Sequence, residues 1–336
     1  MAVTLSSGMP LFPSYRREIA AERERIARGA QVVETSGGPI QYATLGEGIP
    51  LLAIHGAGGG FDQGLDIAGS IAGAGFRVIA PSRFGYLGTP LPADASAPAQ
   101  ARAHASLLDA LGIRETNIVG ASAGAPSAMQ FAIQFPERTK HLILMVPAAY
   151  APRADGAPSV TPPSGLTFLF DTALRSDFLF WALLRGAPRF ATRAILATPP
   201  EVVAAASLPE QARVAEMMRH ILPVSPRRLG LLNDAAVTRA IPRYPLERIT
   251  APTLVVSAKD DGYGTWDCAR YTAENIPNAR FLGFESGGHL LVGHQDELRA
   301  EILAFLDPIC RIPPPPFDNP SKVRQSQPIE GGPGNE

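Results

Sequence analysis

Short, mostly apolar runs at residues 50–55, 76–80, 116–121, 141–146, 253–257 and 280–285 recur along the chain, and helix-like stretches at 67–74, 98–111, 125–135, 266–276 and 297–306 fall between or after them. A strand that is apolar at every position is buried on both faces, so this alternation predicts a parallel sheet covered by helices on each side. Two more short strands, 31–34 and 40–44, flank Ser36-Gly37-Gly38-Pro39, a hairpin signal. The rhythm stops between 148 and 249, where prolines separate apolar and aromatic helical pieces, and then resumes. With 336 residues, 46% of them hydrophobic, the chain is long enough for one large domain carrying such an insertion. Residues 14–29 read as a charged, solvated helix packed on the body, and the Pro/Gly/polar stretch from 311 onward cannot bury a core.

One strand-to-helix junction has chemistry in it. Gly120-Ala121-Ser122-Ala123-Gly124 follows the run at 116–121 and precedes the helix at 125–135. Gly-x-Ser-x-Gly between a strand and a helix suits a nucleophile elbow, a tight turn that lifts a serine hydroxyl out of the sheet. The turn brings strand and helix backbone together, and a Cβ at either glycine would collide. The helix start also presents free N–H groups to whatever reacts there.

A serine hydroxyl needs a base, and the base needs an orienting acid. Of six histidines, His289 lies in Gly287-Gly288-His289 just after the last strand, where parallel-sheet proteins gather their sites. His104 and His141 fall within a helix and a strand and are structural or surface residues; His220 sits in the insertion, and His294 opens the last helix as a weaker competitor. The acid is expected after the strand at 253–257, where Asp260 and Asp261 adjoin; Asp261 is preferred and Asp260 stays open. Pro147-Ala148-Ala149-Tyr150, after the strand at 141–146, offers no carboxylate. The order Ser122, Asp261, His289 is that of the α/β-hydrolase arrangement. His55-Gly56-Ala57-Gly58-Gly59-Gly60 follows the strand at 50–55 and can bring a free N–H to a developing oxyanion, with Ala123 as the second donor. The same loop lacks the Gly-Lys-Ser/Thr ending of a phosphate loop, and Phe61 stands where a Gly-x-Gly-x-x-Gly fingerprint needs glycine.

These separated motifs resemble the α/β-hydrolase fold superfamily over roughly residues 30–308, and within it the group with a helical cap: esterases, lactonases, cofactor-free perhydrolases and meta-cleavage-product C–C hydrolases. The resemblance implies a mostly parallel eight-stranded sheet with helices on both faces and a helical cap insertion. The expected layout is an N-terminal helical extension at 1–30, a core at 31–147 and 250–308, a cap at 148–249 and a disordered tail at 309–336. It also implies that Ala57, after His-Gly, is the loop's oxyanion donor, with Gly58 as the alternative. The chain departs from the family at Ser82-Arg83-Phe84-Gly85-Tyr86, where an aspartate often stands in place of Ser82. Serine rather than aspartate at the elbow speaks against dehalogenase-like and epoxide-hydrolase-like chemistry.

The activity these features predict is cleavage of a carboxylic ester or lactone of a small, largely apolar molecule through an acyl-enzyme. Phe168, Phe170, Phe178, Phe180 and Trp181 would form an apolar lid if they face the sheet; packing inside the insertion is the commoner role of such residues. One alternative is C–C hydrolysis of a meta-cleavage-type diketone acid, with Arg185, Arg189, Arg193 or Arg213 anchoring a carboxylate; another is a non-catalytic ligand-binding protein of the same fold. No cofactor or metal is expected. A formal net charge of −1 gives no basic face for nucleic acid. No run of about 18 apolar residues suggests a membrane span, residues 1–13 lack a signal-peptide pattern, and Cys268 and Cys310 are far apart, so the expected setting is cytoplasmic. Oligomeric state is not encoded in any of these features.

Overall fold

The computed structural model describes residues 11–152 and 174–306. Helix α1 (Leu11–Gly29) leads into strands β1 (Gln31–Thr35), β2 (Gly38–Leu45) and β3 (Ile49–Ile54). Then α2 (Phe61–Ala72), β4 (Phe76–Pro81), α3 (Ala97–Ala110), β5 (Thr116–Ala121), α4 (Ala125–Gln134) and β6 (Thr139–Met145) alternate. The described part of the insertion holds α5 (Asp177–Gly186), α6 (Pro188–Ala194), α7 (Pro200–Ala205), α8 (Leu208–Arg219) and α9 (Arg228–Arg239). The chain closes with β7 (Thr253–Ala258), α10 (Thr265–Asn275), β8 (Ala279–Phe284) and α11 (Gln295–Leu306). No helix among the described residues is long and apolar enough to cross a membrane.

The eight strands form one sheet in the order β1-β2-β4-β3-β5-β6-β7-β8. The β1–β2 hairpin is antiparallel and meets β4 antiparallel; every other pairing is parallel. Strand β5 is central, with Gly120 beside Ile54 of β3 and Ala121 beside Met145 of β6, so the ends of these strands share one rim.

Alternation along each strand sends side chains to opposite faces. Leu52, Ile54, Ile118 and Leu144 pack with Leu107 of α3 and Phe131 of α4, whereas Leu51, Ala53, Val119 and Ile143 pack with Phe61 and Ile71 of α2 and Ile302 of α11. Both faces are therefore dry, as the apolar runs require. Helix α2 begins at Phe61, six residues before the start expected from the pattern, because it opens directly off the glycine loop and carries a glycine, Gly64, in its second turn.

A third core lies in the insertion, and α1 belongs to it. Ile19 is buried with Phe180, Trp181, Val214 and Val224, and Tyr15 makes edge contacts with Phe178 and Trp181 at 5.1 and 5.6 Å. The Trp181 Nε1–H donates to Glu18 at 2.8 Å. The expected charged helix packed on the body is thus refined: one stripe of α1 is core, and the insertion is what it packs on. Phe178, Phe180 and Trp181 pack inside the insertion with α1 instead of forming a lid; Phe168 and Phe170 lie outside the described residues, as does the tail beyond 306.

Candidate active site

Strand β5 ends at Ala121, and Ser122 opens a single 3-10 turn, Ser122–Gly124, that runs into α4. Its φ is 49°, a left-handed conformation that a residue with a Cβ adopts only under constraint. The constraint comes from both flanks. A Cβ on Gly120 would stand 2.5 Å from Ala128 Cβ, and one on Gly124 would stand 2.5 Å from the His55 carbonyl oxygen. The turn is wedged between its own helix and β3, which is why Gly-x-Ser-x-Gly has glycine at each end. The Ser122 carbonyl accepts from the Ala148 N–H at 3.1 Å, which ties the turn to the loop after β6. The N–H of Ala123 lies in the first turn, where intrahelical acceptors are lacking.

The two adjacent aspartates after β7 do different jobs. Asp261 Oδ2 accepts from His289 Nδ1–H at 2.8 Å, and Thr265 Oγ1 donates to the same oxygen. Asp261 Oδ1 accepts from the Tyr263 N–H at 2.9 Å, so the carboxylate is fixed at both oxygens. Asp260 turns to the loop before the histidine and accepts from the Gly288 and Gly287 N–H groups at 2.8 and 3.2 Å. The Tyr263 ring meets His289 edge-on with centroids 4.8 Å apart. With its Nδ1–H given to Asp261, His289 has Nε2 left to accept a proton. No hydrogen bond joins Ser122 to His289 among the described residues.

The other histidines are engaged elsewhere. His104 is buried in α3 beside Ser127, and burial together with the Arg83 charge pushes its pKa down to about 3. His141 pairs with Asn117 at 2.8 Å, His294 with the Ser286 carbonyl at 3.0 Å, and His220 with Asp66 at 2.6 Å, from α8's end onto α2.

The glycine loop after β3 is held by side chains at nearly every peptide. A Cβ on Gly56 would lie 3.1 Å from Ser122 Cβ, so the loop runs beside the serine. The buried His55 donates through Nδ1–H to the Gly56 carbonyl at 2.7 Å and accepts the Arg83 N–H at Nε2 at 3.0 Å. Burial, reinforced by Arg83, holds its pKa well below the usual histidine range, so it stays neutral. Arg83 donates to the His55 and Gly56 carbonyls at 2.9 and 3.0 Å. The Gly56 N–H donates to Gln63 Oε1 at 2.8 Å, and the Gly58 N–H, at φ 74°, donates to Tyr86 Oη at 3.2 Å. The Ala57 N–H has no acceptor among the described residues.

Sequence reasoning missed the groups that brace this loop. Arg83 and Asp234, on α9, form a buried two-pronged ion pair at 2.7 and 2.6 Å, and Tyr86 donates to Asp234 at 2.5 Å. Arg227, fully buried, donates to the Gly59 carbonyl at 2.6 Å and to Asp62 at 3.1 and 2.7 Å. The signal for Arg83 was present just after β4. The signal for Asp234, a lone carboxylate on an unrecognised helix, was not. Ser82, where the resembling family often carries aspartate, accepts from the Phe61 N–H at 3.1 Å and donates to Gln41 at 3.0 Å.

A family model described as alpha/beta hydrolase fold matches residues 49–293. An uncharacterized hydrolase of Bacillus subtilis, YcgS, is 27% identical over 296 residues, 83% of this chain and 99% of its own length. The 2-hydroxy-6-oxo-6-phenylhexa-2,4-dienoate hydrolase of Burkholderia cepacia is 27% identical over 287 residues, 78% of this chain and 88% of its own. Among solved structures, an alpha/beta hydrolase fold protein from Nakamurella multipartita superposes with a TM-score of 0.64 at 27% identity, covering 83% of this chain and 99% of that one.

Proposed function

The chain belongs to the alpha/beta hydrolase fold family, and from that premise we propose that it is a serine hydrolase acting on carboxylic esters or lactones of small, largely uncharged molecules. The observation that carries the proposal is the 2.8 Å bond between Asp261 and His289, on the same strand-end rim as a serine at φ 49°. His289 Nε2 takes the hydroxyl proton as Ser122 Oγ attacks the acyl carbon, and Asp261 stabilises the imidazolium. The N–H groups of Ala57 and Ala123 hold the oxyanion; each such donor is worth roughly 10²–10³ in rate. His289 then protonates the departing alkoxide, and water, deprotonated by the same imidazole, frees the acyl group from Ser122. The free Ala57 N–H and the engaged Gly58 N–H support Ala57 as the loop donor. The described insertion, read as a cap, lays Ile221 and Leu231 over Gly58, within about 4 Å of where its Cβ would be, which suits an apolar acyl or alcohol group.

A second activity, C–C hydrolysis of a diketone acid, is favoured by the activity for which the Burkholderia relative is named. Such a substrate needs a cation for its carboxylate. The arginines expected to supply one are already partnered: Arg185 with Glu18 at 3.4 Å, Arg193 with Glu201 at 2.9 Å and Arg213 with Glu210 at 2.7 Å, while Arg189 lies in the field of the same Glu201. The buried Arg83 and Arg227 are matched by Asp234 and Asp62. This charge balance supports the neutral ester or lactone. A panel of p-nitrophenyl esters, lactones and one ring-fission diketone acid decides between them. Ester or lactone turnover that is lost in Ser122→Ala is expected; turnover of the ring-fission acid alone transfers the assignment to C–C cleavage, and tight binding without turnover transfers it to a ligand-binding protein.

A further inference from the structure

We propose that Asp234, a carboxylate of the insertion, is a positioning residue that aims the oxyanion donor of Ala57 through Arg83 and Tyr86; the proposal rests on the serine-hydrolase assignment above. A trans peptide is planar, with its C=O and N–H on opposite sides. The Gly56 carbonyl is held on one side by His55 Nδ1–H at 2.7 Å and Arg83 Nη2 at 3.0 Å, so the Ala57 N–H of the same peptide points the other way. The next peptide is held by a relay: Gly58 N–H donates to Tyr86 Oη at 3.2 Å, and Tyr86 O–H donates to Asp234 at 2.5 Å. Peptides on both sides of the Ala57 Cα are therefore set by one buried cluster.

Asp234 is the anchor of that cluster. Its oxygens take two prongs of Arg83 at 2.7 and 2.6 Å as well as the Tyr86 hydroxyl. Arg83 and Asp234 are each about one-twentieth exposed. A guanidinium so buried, deprived of its carboxylate, would turn toward water or another acceptor, since an isolated buried charge is strongly disfavoured. It would then release the His55 and Gly56 carbonyls. Burial by itself would lower the Arg83 pKa, and the Asp234 charge reverses that, so the guanidinium stays charged. Burial and the neighbouring Asp234 push the Tyr86 phenol well up, so its O–H remains available to donate.

Docking of the insertion does not rest on this pair alone, since Arg227–Asp62 and His220–Asp66 also join it to the core. The Gly230 N–H donates to the Gly85 carbonyl at 2.9 Å and the Leu87 N–H to the Pro226 carbonyl at 2.8 Å, so backbone bonds also stitch the loop after β4 to the start of α9. The charged cluster adds a connection from the insertion to the reacting end of the glycine loop.

Three variants, Ser122→Ala, Tyr86→Phe and Asp234→Asn, test this with p-nitrophenyl butyrate turnover, inhibition by an alkyl trifluoromethyl ketone and thermal unfolding. The ketone adds to a nucleophilic serine as a hemiketal whose oxygen occupies the oxyanion position. Tyr86→Phe removes one hydroxyl and keeps the ring packed. Tyr86→Phe and Asp234→Asn are each expected to lower kcat about 10- to 100-fold, part of what outright loss of a donor costs. KM should stay within about threefold, and the ketone should weaken by the same factor as kcat. An unchanged kcat in Tyr86→Phe overturns the inference, as does a rise in KM alone, or a fall in kcat with undiminished ketone affinity. If Asp234→Asn does not fold, Tyr86→Phe decides. Turnover that persists in Ser122→Ala overturns the nucleophile, and this inference with it; a dead Ser122→Ala beside a fully active Tyr86→Phe overturns the positioning role alone.

Discussion

Ser122 has φ 49° in a turn whose flanking Gly120 and Gly124 lie too close to Ala128 and His55 to carry a Cβ. The two glycines, together with the strand before them and the helix after, made this turn legible as a candidate elbow; the five letters alone did not. Adjacent residues are harder. Asp260 and Asp261 follow the same strand, and nothing in their order says which carboxylate reaches Nδ1 of His289 and which reaches the Gly287 and Gly288 N–H groups. Side-chain direction in a turn depends on its backbone angles, and these emerge only in three dimensions. Steady-state kinetics will separate the two. Asp261→Asn should lower kcat by about 10³–10⁴-fold, since an amide fixes the wrong imidazole tautomer. Asp260→Asn, which keeps one acceptor for the loop, should lower it less than about tenfold. A larger loss in Asp260→Asn than in Asp261→Asn contradicts the assignment.

At the scale of elements, strands announced themselves because burial on both faces leaves an unbroken apolar run. Helix α9 did not, and α1, legible as a helix at 14–29, did not show its buried stripe. Each covers a mixed environment, and a stripe such as Tyr15 and Ile19 is diluted by charges that make specific ties: Arg25 to Asp62 at 2.9 Å, Arg23 to Asp177 at 3.2 Å and Glu18 to Trp181 at 2.8 Å. Periodicity sees the charges and misses what they are bound to. If α1 is part of the insertion's core, Ile19→Ala should destabilise the protein by about 2–5 kcal/mol, the usual range for truncating a buried isoleucine. Urea unfolding measures it. A change within about 0.5 kcal/mol, the range of an ordinary surface substitution, would return α1 to the solvent.

Across the whole molecule, the insertion and the sheet are joined by Arg83–Asp234, Arg227–Asp62 and His220–Asp66. Long-range pairing of this kind is invisible to local spacing: the partners are more than a hundred residues apart. Two of the buried groups make stability depend on pH. His104 titrates at about 3 in the folded chain because it is buried, with Arg83 reinforcing the effect, against about 6.5 unfolded. The unfolded chain therefore binds the proton first, and stability present above about pH 6.5 drains away as pH falls toward the folded value. Burial opposes ionisation of Asp62, but the Arg227 and Arg25 guanidiniums outweigh it and hold its carboxyl well below the usual range. Its contribution is present above about pH 4 and is lost in stronger acid. Chemical denaturation at successive pH values should show the unfolding free energy falling from pH 6.5 downward, with a shallower slope in His104→Gln. An identical slope in that variant contradicts the account.

The proposed function turns on one covalent event, the acylation of Ser122. Its direct test is intact-mass and peptide-mapping analysis after exposure to an alkyl fluorophosphonate, which reacts with a serine activated by a neighbouring imidazole and leaves a stable adduct. The account predicts one phosphonyl group per chain, carried by the peptide containing Ser122, absent in Ser122→Ala and formed far more slowly in Asp261→Asn. An adduct on another residue, or none from a protein that still turns over esters, would contradict it.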